Sequence, residues 1–553
     1  MDLSYAQVTR SVFMFPTLVF CWVLYCAVSR LFFHPLNGYP GPLLSRLSSL
    51  PVLYHAWKGD LHYHLFRLHL KHGIVPSNDN DVLSSANYFT GKCVRYAPNK
   101  LSINDSEAVN EIYGFNKNTA KPEEAYAAFR VNKLAINTFN TSSKEVHRRK
   151  RRIMAKGFSD VALATYEESI SQPVDELISK LMRGNTKSNT AQTVTSDQKC
   201  VFNWAYEANC LMLDIMGHLC FGAAFGFIGG KGGKLVKCFH QRAVRVYMTS
   251  QVPLFKKLYI DRVLFPQMAK ANTALTDYAR SYTVQRAHQH REETNRIDET
   301  ETYSHVKSGN NNTSSDIMHH LLNAHDEETT SVYSDNELLG EAILLMMAGS
   351  DTTSTALTAT LFYLFHNPHA LQSLRSELAH IFSSSTSIRV LAGENCKYLR
   401  ACIDEAMRLC PPAPTALPRV VCEGGIEVLG IHFPEGVCLG VSNFTLFRNE
   451  LYFKEPHRFM PERWLDNDED SLSLARMAFK PFSVGPRHCI GQRLAIQEMA
   501  YIVAKIVYHF EFEVVGTDSE YKGLEGVDEN VVMEQFDVFT SLESGPEIKF
   551  WAR

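Results

Sequence analysis

The chain has 553 residues, with 56 Lys and Arg against 59 Asp and Glu, a formal charge of −3. That balance gives no electrostatic footprint for a nucleic-acid partner, and the length is enough for a large core. The 13 cysteines are odd in number, irregularly spaced and free of any CxxC pair, which argues against a disulfide framework and a zinc ribbon. Scattered cysteines fit a reducing compartment, where most act as small buried hydrophobes.

The first predicted element is "SVFMFPTLVFCWVLYCAVS", Ser11 to Ser29, an uncharged run bracketed by Arg10 and Arg30. Its length approaches the ~20 residues that span a bilayer core, and Pro16 near its start is tolerated in a membrane helix. Residues 1–30 therefore read as a single N-terminal anchor. The competing reading is a cleaved signal peptide ending at Ala27-Val28-Ser29. A weak basic bias places the main domain on the cytosolic side. Residues 31–51 hold "FFHPLNGYPGP", whose Pro35, Pro40 and Pro42 forbid a continuous helix. This stretch is either a hinge that fixes an angle or an ordinary linker.

Beyond it the pattern is mainly helical, with small strands. Amphipathic runs cover Leu61–Lys71 and Phe202–Phe221, and strand-like pieces cover Val94–Ile103 and Gly425–Phe433. Polar stretches at Arg183–Lys199 and His288–Ser315 read as surface loops. In "EVHRRKRR", His147 and Arg151 stand four apart on one face. The intervening Arg148, Arg149 and Lys150 read as a solvated face or as a patch for an acidic partner.

A long helix is predicted from the capping-box pair Ser334 and Glu337 to Pro368. At its centre lies Ala348-Gly349-Ser350-Asp351-Thr352-Thr353. Glycine weakens a helix, and a threonine hydroxyl can turn to a carbonyl one turn back. These residues serve either close helix packing or a site. In "LRACIDEAMRLCPP", Glu405 and Arg408 share a face, and Arg463 of "FMPERW" offers a third partner, so that a buried set would be mutually satisfied.

The segment "FSVGPRHCIGQRLA", Phe482 to Ala495, places Cys489 in a loop that runs into a helix. A helix N-terminus is expected to lower a thiol pKa. Gly485 permits the turn, Gly491 allows backbone to approach a flat ligand, and Arg487 can meet an anion. A lone thiolate without nearby Cys or His does not suit zinc. It suits the axial position of haem iron.

Phe482-x-x-Gly485-x-Arg487-x-Cys489-x-Gly491 resembles the haem-binding signature of cytochrome P-450, the haem-thiolate monooxygenases. The resemblance covers about residues 31–515 and includes Ala348–Thr353, Glu405, Arg408 and Arg463 in the same order. It implies a mainly α fold with small β-sheets (α+β) behind the membrane helix, with residues 52–553 as the catalytic domain. It implies haem b as cofactor, Cys489 as the metal ligand, and Thr352 with Asp351 as the catalytic proton relay. Ala348 and Gly349 would widen the helix over the haem. Arg487, Arg419, His147 and Arg151 would meet the propionates, His147 standing where the family has tryptophan. Glu405, Arg408 and Arg463 would form a structural lock. Pocket walls would come from Val131–Ala135, Ala348 with Thr352, Pro414–Leu417 and Phe539-Thr540.

The anchor and "HPLNGYPGP" resemble microsomal, fungal-type members. The implied setting is the endoplasmic reticulum membrane. The implied partner is NADPH–cytochrome P-450 reductase, and the substrate is a small, largely apolar molecule of secondary metabolism. Alternatives are a desaturase, a rearranging enzyme that needs no reductase, and a non-catalytic haem or ligand binder. One departure stands out. "IVPSNDNDVLSSANYFTG", Ile74 to Gly91, interrupts "LHLKHG" and "KCVRYAPN". It reads as a retained short intron, since the codons permit splice signals at both ends; the alternative is a surface insertion.

Overall fold

The computed structural model describes residues 17–18, 20–72, 92–186, 201–301, 316–323, 332–390, 395–466, 468–515, 532–542 and 544–553. The architecture is mainly α with small sheets, as the pattern predicts. The principal helices span Leu61–His72, Ser106–Tyr113, Lys144–Lys156, Glu167–Thr186, Trp204–Phe221, Gly233–Gln251, Pro266–Glu301, Asp335–Phe365, Pro368–Ile381, Lys397–Leu409 and Gln492–His509.

Asp335–Phe365 is the central helix. It packs against Trp204–Phe221, Lys397–Leu409, Gln492–His509 and Pro266–Glu301. Its start is set by the predicted capping box: Glu337 N–H donates to Ser334 Oγ, and Ser334 N–H donates to Glu337 Oε2 at 3.1 Å. Buried residues surround its axis, so it lacks the polar face of a surface helix. One residue breaks the pattern: Ala348, in the middle, is exposed.

A five-stranded sheet runs in the order Cys93–Ala97, Lys100–Ile103, Cys438–Gly440, Arg419–Val421, Thr119–Ala120. The strand-like Gly425–Phe433 is a hairpin in which Leu429 and Gly430 both take positive φ, the turn that matches strand twist. A three-stranded sheet joins Val201–Asn203, Glu547–Ala552 and Phe510–Val514. Every cysteine among the described residues is free.

The Pro/Gly stretch is fastened to the first strand. Arg95 N–H donates to Pro40 O at 2.7 Å, and the buried Arg95 side chain donates to Leu36 O and Pro98 O. A Cβ on Gly41 would lie 2.0 Å from Arg95 O, so only glycine permits this approach.

Two readings are corrected. Residues 288–301 are helical, not loop, because that run holds no Pro or Gly and is rich in Arg, Glu and Gln, which favour helix. The helix Glu167–Thr186 likewise extends into the stretch read as loop; residues 187–200 and 302–315 lie outside the described residues. Among the described residues no helix is long and apolar enough to cross a membrane. Residues 1–16 and 19 of the predicted anchor, and the insertion at 74–91, lie outside them. From Leu18 to Tyr25, the described large apolar side chains are exposed.

Candidate active site

The cysteine loop is folded by its own backbone. Cys489 N–H donates to Phe482 O at 2.9 Å, and His488 N–H to Gly485 O at 3.1 Å. Gly485 has φ +72°, and a Cβ there would sit 2.1 Å from Tyr113 O, so the loop presses directly on helix Ser106–Tyr113. Gly491 caps the helix Gln492–His509, and a Cβ on it would meet only Phe158 at ordinary contact. Phe482 is half-buried against the helical core.

Cys489 combines accessible surface with deep placement. Its side chain is exposed, yet burial pushes its thiol pKa up, outweighing the Gly491 N–H and the Arg151 charge. Both hold if the sulfur faces an enclosed space. This corrects the expected downward shift, because desolvation disfavours the thiolate by more than the helix N-terminus and the Arg151 charge stabilise it.

Arg151 braces the loop. Its Nη1 donates to His488 O and its Nη2 to His488 Nε2, each at 2.7 Å. His488 Nδ1 donates to Gly485 O, which leaves Nε2 as the acceptor. His147, one turn before Arg151, is buried, and its pKa falls to about 3 through burial and then the charges of Arg487, Lys121, Arg151 and Arg419. It is therefore neutral. Arg487 is lowered to about 10 by burial, with Arg419 adding. Arg487 has only long contacts to backbone carbonyls, and Arg419 donates to Tyr126 O–H at 3.2 Å.

Lys121 completes this cluster, and no motif or spacing marks it beforehand. It is 5% exposed, lies 4.4 Å from the Tyr126 ring and 4.0 Å from the Phe139 ring, and is held well below the usual lysine range by burial, then by Arg419 and Arg487. No carboxylate pairs with Lys121, Arg151, Arg419 or Arg487 among the described residues. Buried cations without anions are costly, so the cluster fits a flat group that brings carboxylates of its own to a face shared with Cys489.

The rest of the basic run does something else. Lys150 is buried, 2.7 Å from Glu337 and 3.6 Å from Glu341, and Arg149 also pairs with Glu337 at 2.7 Å. These two residues tie their helix to the first turns of the central helix and are not a solvated patch; only Arg148 remains exposed.

On the central helix Thr352 Oγ1 donates to Ala348 O at 2.6 Å. Asp351 is 3% exposed, and burial raises its pKa to about 7 despite a hydrogen bond from Asn209. Gly349 does not line the open face. A Cβ there would meet Met216 Sδ, so it serves close packing on Trp204–Phe221, and Ala348 alone of the pair is exposed. A cavity of about 620 Å³ lies on another side, lined by Asn209, His240, Ser354 and Trp57 among others; it includes neither Cys489 nor Ala348. It reaches Asp351 through Asn209.

The Glu405 set is complete. Glu405 accepts from Arg408 Nε and Nη2 (2.9 and 2.8 Å), Arg463 Nε (2.9 Å), Met460 N–H (3.0 Å) and Trp464 Nε1 (3.0 Å). Arg408 spends its remaining donors on Phe447, Pro456 and Arg458 carbonyls. Trp464, another residue without a sequence signal, packs its ring tilted against that of Phe479, centroids 4.7 Å apart, and Phe479 leads into the cysteine loop. Near two of the predicted walls, the Phe539 ring lies 5.0 Å from the Phe129 ring, and Asp537 accepts from Tyr247 O–H and Thr415 O–H.

A fold of this kind around a cysteine loop, a central helix with one exposed alanine and an unbalanced basic cluster defines a haem-thiolate enzyme. The profile of the family cytochrome P-450 matches residues 87–535, and the chain belongs to that family. It is 33% identical to the cytochrome P-450 monooxygenase AFT11-1 of Alternaria alternata over 517 residues, 92% of this chain and 91% of that one. It is 33% identical to the cytochrome P-450 monooxygenase poxM of Penicillium oxalicum over 500 residues, 90% of this chain and 88% of that one. A solved cytochrome P-450 haem domain superposes with TM-score 0.63 at 17% identity, covering 82% of this chain and 88% of that one; this likeness shows the fold. The chain is thus an oxidoreductase of the monooxygenase type, and its cofactor is haem b.

Proposed function

We propose that the chain is a membrane-anchored monooxygenase of a fungal secondary-metabolite pathway. It would place one oxygen atom from O2 into a small, largely apolar substrate, with electrons from NADPH through NADPH–cytochrome P-450 reductase. The observation that carries this is the exposed Cys489 near four cations, Lys121, Arg151, Arg419 and Arg487, that pair with no acid among the described residues. Exposed apolar residues from Leu18 to Tyr25 support an anchor at the endoplasmic reticulum membrane, with the domain cytosolic.

Cys489 would hold the haem iron through its sulfur, with Gly485 and Gly491 shaping its loop and Phe482 beside it. Arg487, Arg419, Arg151 and Lys121, with neutral His147 as a hydrogen-bond donor, would hold the propionates. Haem b bound there supplies oxygen activation. Asp351, poised near pH 7, can take a proton from the solvent side through the Asn209 cavity. Thr352 can release its bond to Ala348 O and present a proton at the exposed Ala348 face. The Glu405, Arg408 and Arg463 lock would hold the segment beneath the loop. The segment Ile74–Gly91 would be absent from the working enzyme as a retained intron.

The test is reconstitution of the full chain with reductase, NADPH and 18O2 against a panel of apolar acceptors. A product carrying a single 18O atom is expected. Turnover without NADPH, or product free of 18O, would overturn the reading.

A further inference from the structure

Helix Gly233–Gln251 carries a second buried cation that lacks a proper partner. Arg242 is 2% exposed. Its Nη1 contacts the Met347 thioether at 3.0 Å, its Nη2 lies 3.3 Å from Phe129 O, and its Nε is buried with no partner. A guanidinium has five N–H donors and keeps its charge, and a thioether is a weak acceptor. A buried charge so poorly satisfied is costly unless something else completes it.

The charged neighbours do not complete it. Arg245, on the same helix, is already paired with Asp261. Lys256 donates only to Ala127 O and Ala128 O, each at 3.3 Å, and burial lowers it to about 8, with Arg245 and Arg242 adding. Asp351 feels the Arg242 charge, but no ion pair joins them among the described residues, and burial disfavours the ionised form of the acid. The locality therefore holds more cations than anions.

Its position is informative. Met347 directly precedes Ala348, the exposed residue of the central helix. Phe129 leads into the Val131–Ala135 wall and touches Phe139 at 5.2 Å and Phe539 at 5.0 Å. Arg242 thus bridges the central helix, at the residue before Ala348, and the segment that enters the aromatic cluster. One planar fork backed by one ammonium, amid aromatic rings, matches a monoanionic planar group on an apolar body.

We infer that Arg242, backed by Lys256, anchors a carboxylate of the substrate, so that the enzyme acts on small apolar organic acids held at one end while a distant carbon is oxidised. The inference rests on the monooxygenase reading. The carboxylate is a handle and is not consumed.

The test uses the full-chain holoenzyme and the low-to-high-spin Soret shift. Octanoic, dodecanoic, hexadecanoic and phenylpropionic acids are titrated beside their methyl esters. At least one acid is expected to bind about 10- to 200-fold more tightly than its ester, the span for a hydrogen bond to a charged group. Arg242→Leu should abolish the preference, and Arg242→Lys, which keeps the charge without the fork, should retain part of it. Both variants should keep the thiolate carbon-monoxide band. Failure of every acid to bind more tightly than its ester, with that band intact in the wild type, overturns the inference and leaves the monooxygenase reading standing. A preference that survives Arg242→Leu overturns the assignment to Arg242. A wild-type chain without the band would sink both. If Arg242→Leu does not fold, the wild-type comparison of acid with ester and the Arg242→Lys variant still decide.

Discussion

Glu405 and Cys489 each sit among buried or half-buried arginines, yet the two settings differ in charge balance. Around Glu405 both carboxylate oxygens are occupied, and Arg408 also bonds three carbonyls. Around Cys489, Arg487 finds only distant carbonyls, and Lys121 finds aromatic faces and one carbonyl. A charged cluster that closes upon itself does structural work. One that leaves charges over is shaped for something that arrives later.

The comparison is broken most severely at the complete cluster. Glu405→Ala leaves Arg408 and Arg463 buried without their acid, which costs ~3–5 kcal/mol. The expected result is loss of folded protein, read by thermal unfolding and the yield of haem-bound chain.

Glu498 offers an isolated case, a 1%-exposed acid whose pKa burial alone raises from 4.5 to about 8. The folded state prefers the neutral acid, whereas the unfolded chain ionises near 4.5. Its penalty is therefore absent below that pH, grows as pH rises towards 8, and is constant above. Glu498→Gln should accordingly stabilise the protein, by ~2–3 kcal/mol at pH 7 and scarcely at all at pH 4.5. A gain independent of pH would contradict this.

Lys121→Met sharpens the contrast. Removing an unpaired buried cation should stabilise the haem-free chain by ~1–2 kcal/mol and weaken haem retention in a transfer assay. Equal effects on both forms would show that Lys121 has no part in the site. Thr352→Ala should leave the haem spectrum unchanged and raise hydrogen peroxide released per NADPH several-fold. Smallest of all, removing Ile74–Gly91 should leave haem binding as it is, measured by the same spectrum.

Signals confined to a few residues were legible in the sequence. The Ser334–Glu337 cap, the turn at Gly485, and the Glu405–Arg408 pair are local or obey a fixed helical spacing, and each takes its expected geometry. The hidden features depend on contacts between distant segments. Lys121 feels the charges of Arg419 and Arg487, each far along the chain, and Arg242 gains its meaning only from Met347 and Phe129. Lys150 looked solvated because its run is so basic, and only packing shows Glu337 and Glu341 above it. Of the expected pair only Ala348 is open while Gly349 packs on Met216, since a sequence does not say which face of a largely buried helix is open.

The most direct test of the incomplete cluster is the reduced carbon-monoxide difference spectrum of the full chain beside Cys489→Ala. A thiolate-type Soret band in the first and none in the second is predicted, with the variant still folded. A folded chain that shows no such band, or a band that survives the loss of Cys489, would contradict the assignment of this site to haem.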